Sequence, residues 1–174
     1  MESLESKYEI EKTLTGGQAI IYKARDKVLD RLVAIKTPNE SVMSDPHKLE
    51  KFIDEGRKMA RLNDGNVLTV LHFVEQHDIN EKCYLITEWM DQTLEEALQN
   101  EDLGINTATS ILTRILKGLP ALHNAGIVHR DLKPSKIYLS ADGSDVRIGD
   151  LGIASDVGAD ETLTATPKYI APEI

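Results

Sequence analysis

Two acidic positions on either side of a predicted hairpin constrain this chain more than any other feature. Asp131 belongs to the tract His-Arg-Asp-Leu-Lys-Pro at 129–134, and Asp150 opens Asp-Leu-Gly nineteen residues later. Short apolar runs within 137–148, separated by Asp-Gly, predict the hairpin between them. A carboxylate on each of two loops, one of them with Lys133 two residues on, is an arrangement that suits phosphoryl transfer.

Composition narrows the class of protein. With 174 residues, 41% of them hydrophobic and 28% charged, the chain is expected to be a soluble globular protein. Its net charge of −9 argues against a nucleic acid or an anionic membrane as partner, because neutralising phosphates takes clustered Lys and Arg. The single cysteine, Cys83, excludes an internal disulfide and is expected to be a core residue in a reducing compartment. No apolar run reaches a membrane span, so a cytoplasmic location is expected.

The first half of the chain has mainly strand patterns with one helix inserted. The predicted strands cover 8–14, 19–24, 33–37, 67–75 and 83–87. An amphipathic helix is predicted over 46–62, with Asp45 as the N-cap and Pro46 in the first helical position. The second half is more helical, with predicted helices at 94–99 and 107–123, and Pro120 is expected to kink or shorten the second of these.

A lysine and a glutamate in the first half are expected to pair. Lys36 ends the strand Val-Ala-Ile-Lys, and Glu55 lies nineteen residues later, near the apolar stripe of the predicted helix. A buried carboxylate without a partner is costly, so Glu55 is expected to face a cation, and Lys36 is the natural candidate. A lysine at a solvated strand tip and a glutamate on a solvated helix face are the alternatives.

Taken in order, these features resemble the serine/threonine protein kinase family. The resemblance runs over 14–173 and includes the lysine of V-A-I-K, the helix glutamate, H-R-D-L-K-P, D-L-G in place of D-F-G, and a segment that ends in Ala-Pro-Glu. It implies an α+β, protein-kinase-like two-lobe fold. Residues 1–87 would form an N-lobe with a five-stranded antiparallel sheet and one helix. Residues 88–174 would form a partial, incomplete helical C-lobe, from the hinge through the A-P-E segment.

The resemblance implies ATP and Mg2+ as cofactors and suggests the catalytic roles. Lys36 would hold the α- and β-phosphates and pair with Glu55. Asp131 would orient the hydroxyl of a protein substrate, and Lys133 would steady the transferred phosphoryl group. Asp150 would ligate magnesium.

The resemblance also implies contacts to the rest of the nucleotide. Thr87 matches the position behind the adenine, and the backbones of Glu88 and Met90 would contact the base. Tyr138 would form the floor under the adenine. The implied nucleotide contacts are Leu14, Gly16, Gly17, Ile21, Ala34, Lys36, Thr87, Glu88, Met90 and Tyr138.

Three threonines fall in the segment that resembles an activation loop. Arg130 resembles the arginine that receives a phosphate in this segment, and Thr162 and Thr164 are the nearest hydroxyls in the sequence. Thr166 directly precedes a proline, as in the serine/threonine branch of the family. For Thr162 and Thr164, a solvated polar loop is the alternative.

Several positions depart from the family pattern. Leu14 and Ala19 stand where the phosphate loop has glycines, which predicts weak nucleotide affinity. Lys136 stands where the family has a metal-binding asparagine, and an ammonium has no acceptor for a metal. It could place a positive charge at the second metal position or turn to solvent. Solvent is expected, because fixing a lysine loses rotamer entropy. Tyr138 would crowd the adenine pocket.

Two functions remain open from the sequence. The first is a serine/threonine protein kinase that transfers the γ-phosphate of ATP to a protein hydroxyl, with activity impaired by these departures. The second is a pseudokinase that acts as a nucleotide-binding or protein-interaction regulatory module. Because the chain stops just after A-P-E, apolar surface on the 107–123 helix is expected to be exposed. A homo-oligomer, or the remainder of a longer natural protein, would cover it.

Overall fold

The chain divides into two compact units. The structure is a computed structural model that describes residues 4–74, 83–100, 103–151, 155–156 and 167–169. The first unit comprises Met1–Ala60 and Val70–Trp89, and the second comprises Arg61–Thr69 and Met90–Ile174. The boundary predicted after Thr87 therefore differs from this division in two places, at 61–69 and at 88–89.

The first unit contains the expected five-stranded antiparallel sheet, together with the predicted helix and two further short ones. The elements are α1 (Leu4–Lys7), β1 (Tyr8–Thr15), β2 (Ala19–Asp26), β3 (Arg31–Pro38), α2 (Glu40–Met43), α3 (Pro46–Ala60), β4 (Val70–Val74) and β5 (Tyr84–Glu88). The strand order in the sheet is β1-β2-β3-β5-β4. The two four-residue helices, α1 and α2, were not predicted, because such short segments carry no helical period.

Alternation along β3 gives the sheet two different faces. Val33 and Ile35 are 0% and 1% exposed and join a buried cluster that includes Ile86. Successive side chains of a strand point to opposite faces, so Ala34 and Lys36 lie on the other face. Burial of the first face therefore decides which side chains of this strand remain for a functional site.

The predicted N-cap of α3 is confirmed. The Asp45 carboxylate accepts from the backbone amides of His47 at 3.1 Å and Lys48 at 3.3 Å, and Pro46 holds the first helical position. These hydrogen bonds stabilise the ionised form, and the Lys48 amide contributes most to lowering the pKa of Asp45. The helix ends at Ala60, two residues before the predicted end.

In its described residues, the second unit combines two α-helices with short strands. Its elements are β6 (Gln92–Thr93), α4 (Leu94–Asn100), α5 (Ile105–Asn124), β7 (Ile127–Val128), a 3-10 turn (Pro134–Lys136), β8 (Ile137–Leu139), β9 (Val146–Ile148), β10 (Ser155–Asp156) and a second 3-10 turn (Pro167–Tyr169). The predicted hairpin is confirmed as the antiparallel pair β8–β9, with β6 beside β8. Strand β10 pairs with β7.

The start of α4 is fixed by a capping box. The Glu96 amide donates a hydrogen bond to Thr93 Oγ1 at 3.2 Å, and the Thr93 amide donates one to the Glu96 carboxylate at 2.7 Å. Each side chain thus satisfies a backbone amide that the helix itself leaves without an acceptor. The cap joins α4 to β6, which pairs with the hairpin.

Helix α5 runs from Ile105 through Pro120 to Asn124, close to the predicted range 107–123. The shortening given as one possible effect of the proline is therefore wrong, and a kink at Pro120 stays a prediction. Pro120 removes one amide donor and its ring crowds the carbonyl four residues earlier, at a cost of about 3 kcal/mol or more, which the packing of the helix offsets. That packing is against a cluster of buried residues from α4, α5 and the hairpin, namely Ala97, Ile111, Ile137, Leu139, Val146 and Ile148.

Residues 61–69 belong to the second unit, and this corrects the strand predicted at 67–75. The Leu68 amide donates to the Ile148 carbonyl at 2.8 Å, and the Ile148 amide donates to the Asn66 carbonyl at 2.8 Å. Val67 forms a parallel bridge with Ile148. Since these backbone groups pair with β9, the strand of the first unit begins only at Val70.

Part of the apolar side predicted for α5 is exposed. Leu112 and Leu116 are 56% and 58% exposed, and Ile105 at the start of the helix is 78% exposed. Oligomerisation through this face remains a prediction. Cys83 is fully buried, as predicted. In the part of the chain that the structure describes, no helix combines the length and apolar character needed to cross a membrane.

The close approach of α5 to Asn66 gives a stability prediction. A Cβ at Gly118 would lie 2.8 Å from the Asn66 carbonyl oxygen and 3.0 Å from Ile148 Cδ1. We expect Gly118→Ala to lower the free energy of unfolding by about 1–3 kcal/mol through overpacking. We expect this loss of stability even though alanine is favoured over glycine in a helix by about 1 kcal/mol.

Urea unfolding followed by circular dichroism measures this change. Gly65→Ala is the matched control, because a Cβ at Gly65 meets nothing within 4 Å, and we expect a change of no more than about 0.5 kcal/mol. A Gly118→Ala protein as stable as the wild type would show that α5 and 61–69 do not approach this closely.

Candidate active site

The first unit contains the predicted ion pair between Lys36 and Glu55. Strand β3 presents Lys36 and helix α3 presents Glu55, with 2.6 Å between Nζ and Oε1. Glu55 is 6% exposed, and the Lys36 side chain keeps 22% of its surface. The pairing confirms that Glu55 is a buried carboxylate facing a cation rather than a residue on a solvated helix face. The pair links the sheet to α3.

The strand register places several predicted nucleotide contacts on one face of the sheet. Leu14 pairs with Ile21, which pairs with Lys36, and Ala34 pairs with Thr87. Directly opposed residues of an antiparallel sheet point to the same face, and so do alternate residues of one strand. These five residues therefore share the face opposite the buried Val33–Ile35–Ile86 cluster.

The glycine pair between β1 and β2 forms a tight turn. The Gly16 amide donates to the Ala19 carbonyl at 2.9 Å, and the Gly17 carbonyl accepts from Asn39 Nδ2 at 3.1 Å. Neither Gly16 nor Gly17 has a positive φ, and a Cβ at Gly17 would meet nothing within 4 Å. The turn therefore depends on these hydrogen bonds rather than on a backbone conformation that needs glycine.

The predicted hinge positions follow β5. Thr87 is 5% exposed, and its hydroxyl donates to the Glu88 carbonyl at 3.0 Å. Trp89 is the last residue of the first unit, with the Lys23 ammonium 5.2 Å from its ring centroid. Met90 is the first residue of the second segment of the second unit, Met90–Ile174. The predicted base contacts thus lie where the chain leaves the sheet.

In the second unit, Asp131 and Lys133 form an ion pair. Lys133 Nζ lies 2.8 Å from Asp131 Oδ2, and the side chains are 22% and 13% exposed. Within 129–134 the structure therefore brings together a carboxylate that can accept a proton and an ammonium that can neutralise a phosphoryl oxygen.

His129 holds the backbone around Asp131, a role that the sequence analysis did not assign. The Asp131 amide donates to the His129 carbonyl at 2.9 Å and faces Nδ1 at 3.4 Å, while Nε2 lies 3.3 Å from the Gly149 carbonyl. With Nδ1 as acceptor, the ring proton belongs on Nε2, which donates to Gly149. Burial lowers the pKa of His129, so the ring is neutral at pH 7. Its position after the apolar Ile127-Val128 was the available sequence signal.

Two residues of the site have left-handed backbone conformations. Arg130 and Asp150 both have a φ of 61°, which is unusual for residues with a side chain. Gly149, directly before Asp150, is held by its amide, which donates to the Lys136 carbonyl at 3.0 Å. Conformations of this kind persist where surrounding contacts fix them, and they concentrate at functional sites.

Lys136 contacts the carboxylate of Asp150, so the predicted orientation toward solvent is wrong. Lys136 Nζ forms an ion pair with Asp150 Oδ2, and the side chains are 22% and 25% exposed. The backbone bond between Gly149 and Lys136 brings the two segments side by side. A favourable contact is therefore within reach and offsets the rotamer entropy that favoured solvent.

The donor set at Asp150 does not fit a magnesium ion. Lys136 offers donors and no acceptor, and its ammonium occupies the carboxylate that would ligate the metal. Among the described residues, no group of three or more His, Cys, Asp or Glu side chains is placed to hold a metal ion. A hard cation such as Mg2+ requires several oxygen ligands.

Tyr138 lies against the backbone before Asp150. It occupies the middle of β8, opposite Thr93 and Arg147, and its Cε2 would be 2.9 Å from a Cβ at Gly149. Gly149 thus allows the ring to lie on the backbone, and the role of Tyr138 under an adenine stays a prediction. The predicted phosphorylation positions, Thr162, Thr164 and Thr166, lie outside the described residues.

Comparison with known proteins identifies the class to which this fold and site belong. The model of the protein kinase domain matches residues 8–174. A probable serine/threonine-protein kinase of Clostridium perfringens is 31% identical over 98% of this chain and 25% of its own length. The serine/threonine-protein kinase PknL of Mycobacterium tuberculosis is 33% identical over 98% of this chain and 44% of its own. The probable serine/threonine-protein kinase PknB of Lactococcus lactis is 32% identical over 96% of this chain and 27% of its own length.

This chain belongs to the protein kinase domain family. Proteins of the family generally bind ATP with Mg2+ and act on protein substrates. The chain spans between a quarter and just under half of the length of these relatives.

A double-mutant cycle tests the ion pair of the first unit. We expect Lys36→Met to lower the free energy of unfolding by about 3–5 kcal/mol, because it removes the cation that faces a buried carboxylate. The Lys36→Met/Glu55→Gln protein should recover part of this loss, which gives a coupling energy above about 1 kcal/mol.

Urea unfolding of the four proteins measures the coupling. The control cycle is Lys23→Met with Glu11→Gln, a partly exposed pair at 3.5 Å, for which we expect less than about 1 kcal/mol. Equal coupling in both cycles would contradict the burial of the Lys36–Glu55 pair.

The lowered pKa of His129 predicts a pH dependence of stability. The unfolded chain binds a proton at this histidine more readily than the folded chain does, so stability should fall as the pH drops below about 6.5. Imidazole titration by NMR, in the folded chain and in urea, measures the difference. A His129→Gln variant assigns the signal. A folded midpoint equal to or above the unfolded one would contradict the buried neutral ring.

Proposed function

We propose that this chain is the ATP-binding part of a serine/threonine protein kinase domain, which transfers the γ-phosphate of ATP to a serine or threonine hydroxyl of a protein. The observation that carries the proposal is the buried ion pair of Lys36 with Glu55. Glu55 orients the ammonium on the sheet face that also carries Leu14, Ile21 and Ala34. A fixed cation of this kind suits the α- and β-phosphates of a nucleotide.

The proposed chemistry at the second unit uses Asp131 and Lys133. The Asp131 carboxylate would orient the attacking hydroxyl and accept its proton as the new bond to the γ-phosphorus forms. The bond from the γ-phosphorus to the bridging oxygen then breaks, and ADP leaves. Lys133, 2.8 Å from Asp131, is placed to neutralise charge on the transferred phosphoryl group. The His129 hydrogen bonds support the backbone of Asp131.

The remaining contacts are proposed from their places in the fold. Thr87 would lie behind the adenine, and the backbones of Glu88 and Met90 would contact the base. The turn at Gly16 and Gly17 would lie along the phosphates. These assignments are expectations that follow from the family. A cytoplasmic location and a homo-oligomer through the exposed face of α5 are proposals of a different origin, the first from the sequence and the second from the exposed Leu112 and Leu116.

A second candidate function is a nucleotide-binding regulatory module without phosphoryl transfer. The ion pair between Lys136 and Asp150 favours it, because the carboxylate that would ligate a metal already faces an internal cation. The two candidates share nucleotide binding and differ in catalysis. An experiment that measures both properties on the same protein therefore separates them.

Substitution of Asp131 tests the transfer. Because Asp131 is the proposed proton acceptor, Asp131→Asn should reduce transfer from ATP by a factor of about 10² to 10⁴. Nucleotide binding should remain, since the substitution keeps the size of the side chain. Radiolabel transfer from γ-labelled ATP to the chain itself or to a basic protein measures catalysis, and thermal shift with ATP measures binding.

Asp145→Asn serves as the matched control, because its side chain is 51% exposed on the β8–β9 turn. It should transfer label like the wild type. Equal label in the wild type and Asp131→Asn would contradict the proposed transfer and point to a contaminating kinase. Binding without transfer in the wild type would favour the regulatory module.

A further inference from the structure

We propose that the Lys136 ammonium takes the place of a divalent metal ion at Asp150, so that this domain binds its nucleotide without needing a divalent cation. The inference rests on the proposed nucleotide-binding function and adds to it the metal requirement of the site. The residues at Asp150 do not fit the magnesium ion that the family generally uses.

The position of Lys136 beside Asp150 follows from the hairpin. Ile137 pairs with Ile148 in the β8–β9 register, and the Gly149 amide donates to the Lys136 carbonyl at 3.0 Å. The residue before β8 and the residues after β9 are therefore held next to each other. The 3-10 turn at Pro134–Lys136 brings the chain into this position. Backbone pairing, rather than a chance side-chain conformation, thus places the ammonium within reach of the carboxylate.

The environment of the pair makes it hard for a metal ion to displace the ammonium. Only 22% of the Lys136 side chain and 25% of the Asp150 side chain is exposed. Solvent therefore screens their attraction less than in a surface pair. A divalent ion would need to separate this pair and also to find further oxygen ligands. Among the residues that the structure describes, no cluster of carboxylates or histidines supplies them.

The ammonium can supply part of what the metal would supply. It carries three donors and one positive charge, and phosphate oxygens accept such hydrogen bonds. A lysine is a common ligand for phosphate, although it gives a point charge rather than a fixed coordination geometry. The pair as a whole is neutral, so the attraction for a triphosphate is weaker than that of a bound metal. The nucleotide should therefore bind without a metal ion and with modest affinity.

Calorimetry with a nucleotide that cannot be hydrolysed tests the proposal. The β,γ-imido analogue of ATP is titrated into the 174-residue chain in EDTA, in MgCl2 and in MnCl2. For the wild type we expect dissociation constants that agree within about threefold in the three conditions. For Lys136→Asn, which removes the ammonium from Asp150 and adds an amide oxygen, we expect Mg2+ or Mn2+ to tighten binding by about tenfold or more.

Three further variants make the test specific. Lys136→Gln offers the same amide oxygen if Lys136→Asn fails to fold, as judged by circular dichroism. Lys136→Arg keeps a cation at the position and should behave like the wild type. Lys117→Asn makes the same change of residue type at an exposed position on α5 in the same unit, and it should also respond to metal like the wild type.

The outcomes separate this inference from the proposed function. Tenfold or greater tightening by Mg2+ or Mn2+ in the wild type would overturn the inference and leave nucleotide binding intact. An unchanged metal response in both folded amide variants would overturn it as well. If neither the wild type nor any variant bound the analogue in any of the three conditions, the proposed function would fail together with the inference.

Discussion

The pairing of β8 with β9 is the interaction on which the second unit depends. Its buried isoleucines, Ile137 and Ile148, pack against α4 and α5, and the backbone of Ile148 also pairs with the segment 61–69. The carbonyl of Gly149, just after β9, lies 3.3 Å from the ring of His129, which in turn holds the amide of Asp131. Stability of this hairpin therefore sets the positions of both acidic loops.

In the first unit, a buried sheet face and an ion pair fix the position of Lys36. One face of its sheet is buried by aliphatic side chains, and this leaves the other face for Lys36 and its strand neighbours. Glu55 approaches from α3 and fixes the ammonium. A buried ion pair gives uncertain net stability, but it is costly to break by removing one partner. Its value here lies in orientation, because a lysine alone has many rotamers.

Lys136 shows how a single substitution can change the chemistry of a fold that is otherwise kept. The hairpin places residue 136 beside Asp150 whichever side chain it carries, because backbone hydrogen bonds determine the approach. An asparagine there offers an acceptor to a metal, and a lysine offers a charge to the carboxylate. The family relationship therefore settles the architecture of this domain. The metal requirement depends on the local ion pair.

The sequence by itself determined the elements whose signals are local. Short strand-forming runs separated by turn residues predicted the five strands and the hairpin. Asp45 and Pro46 predicted the start of α3, and the cost of an unpaired buried carboxylate predicted the Lys36–Glu55 pair. Tertiary structure alone decided that residues 66–68 pair with β9 and that Lys136 faces Asp150. These features depend on contacts between segments distant in sequence, such as Leu68 with Ile148, and single-segment patterns carry no information about them.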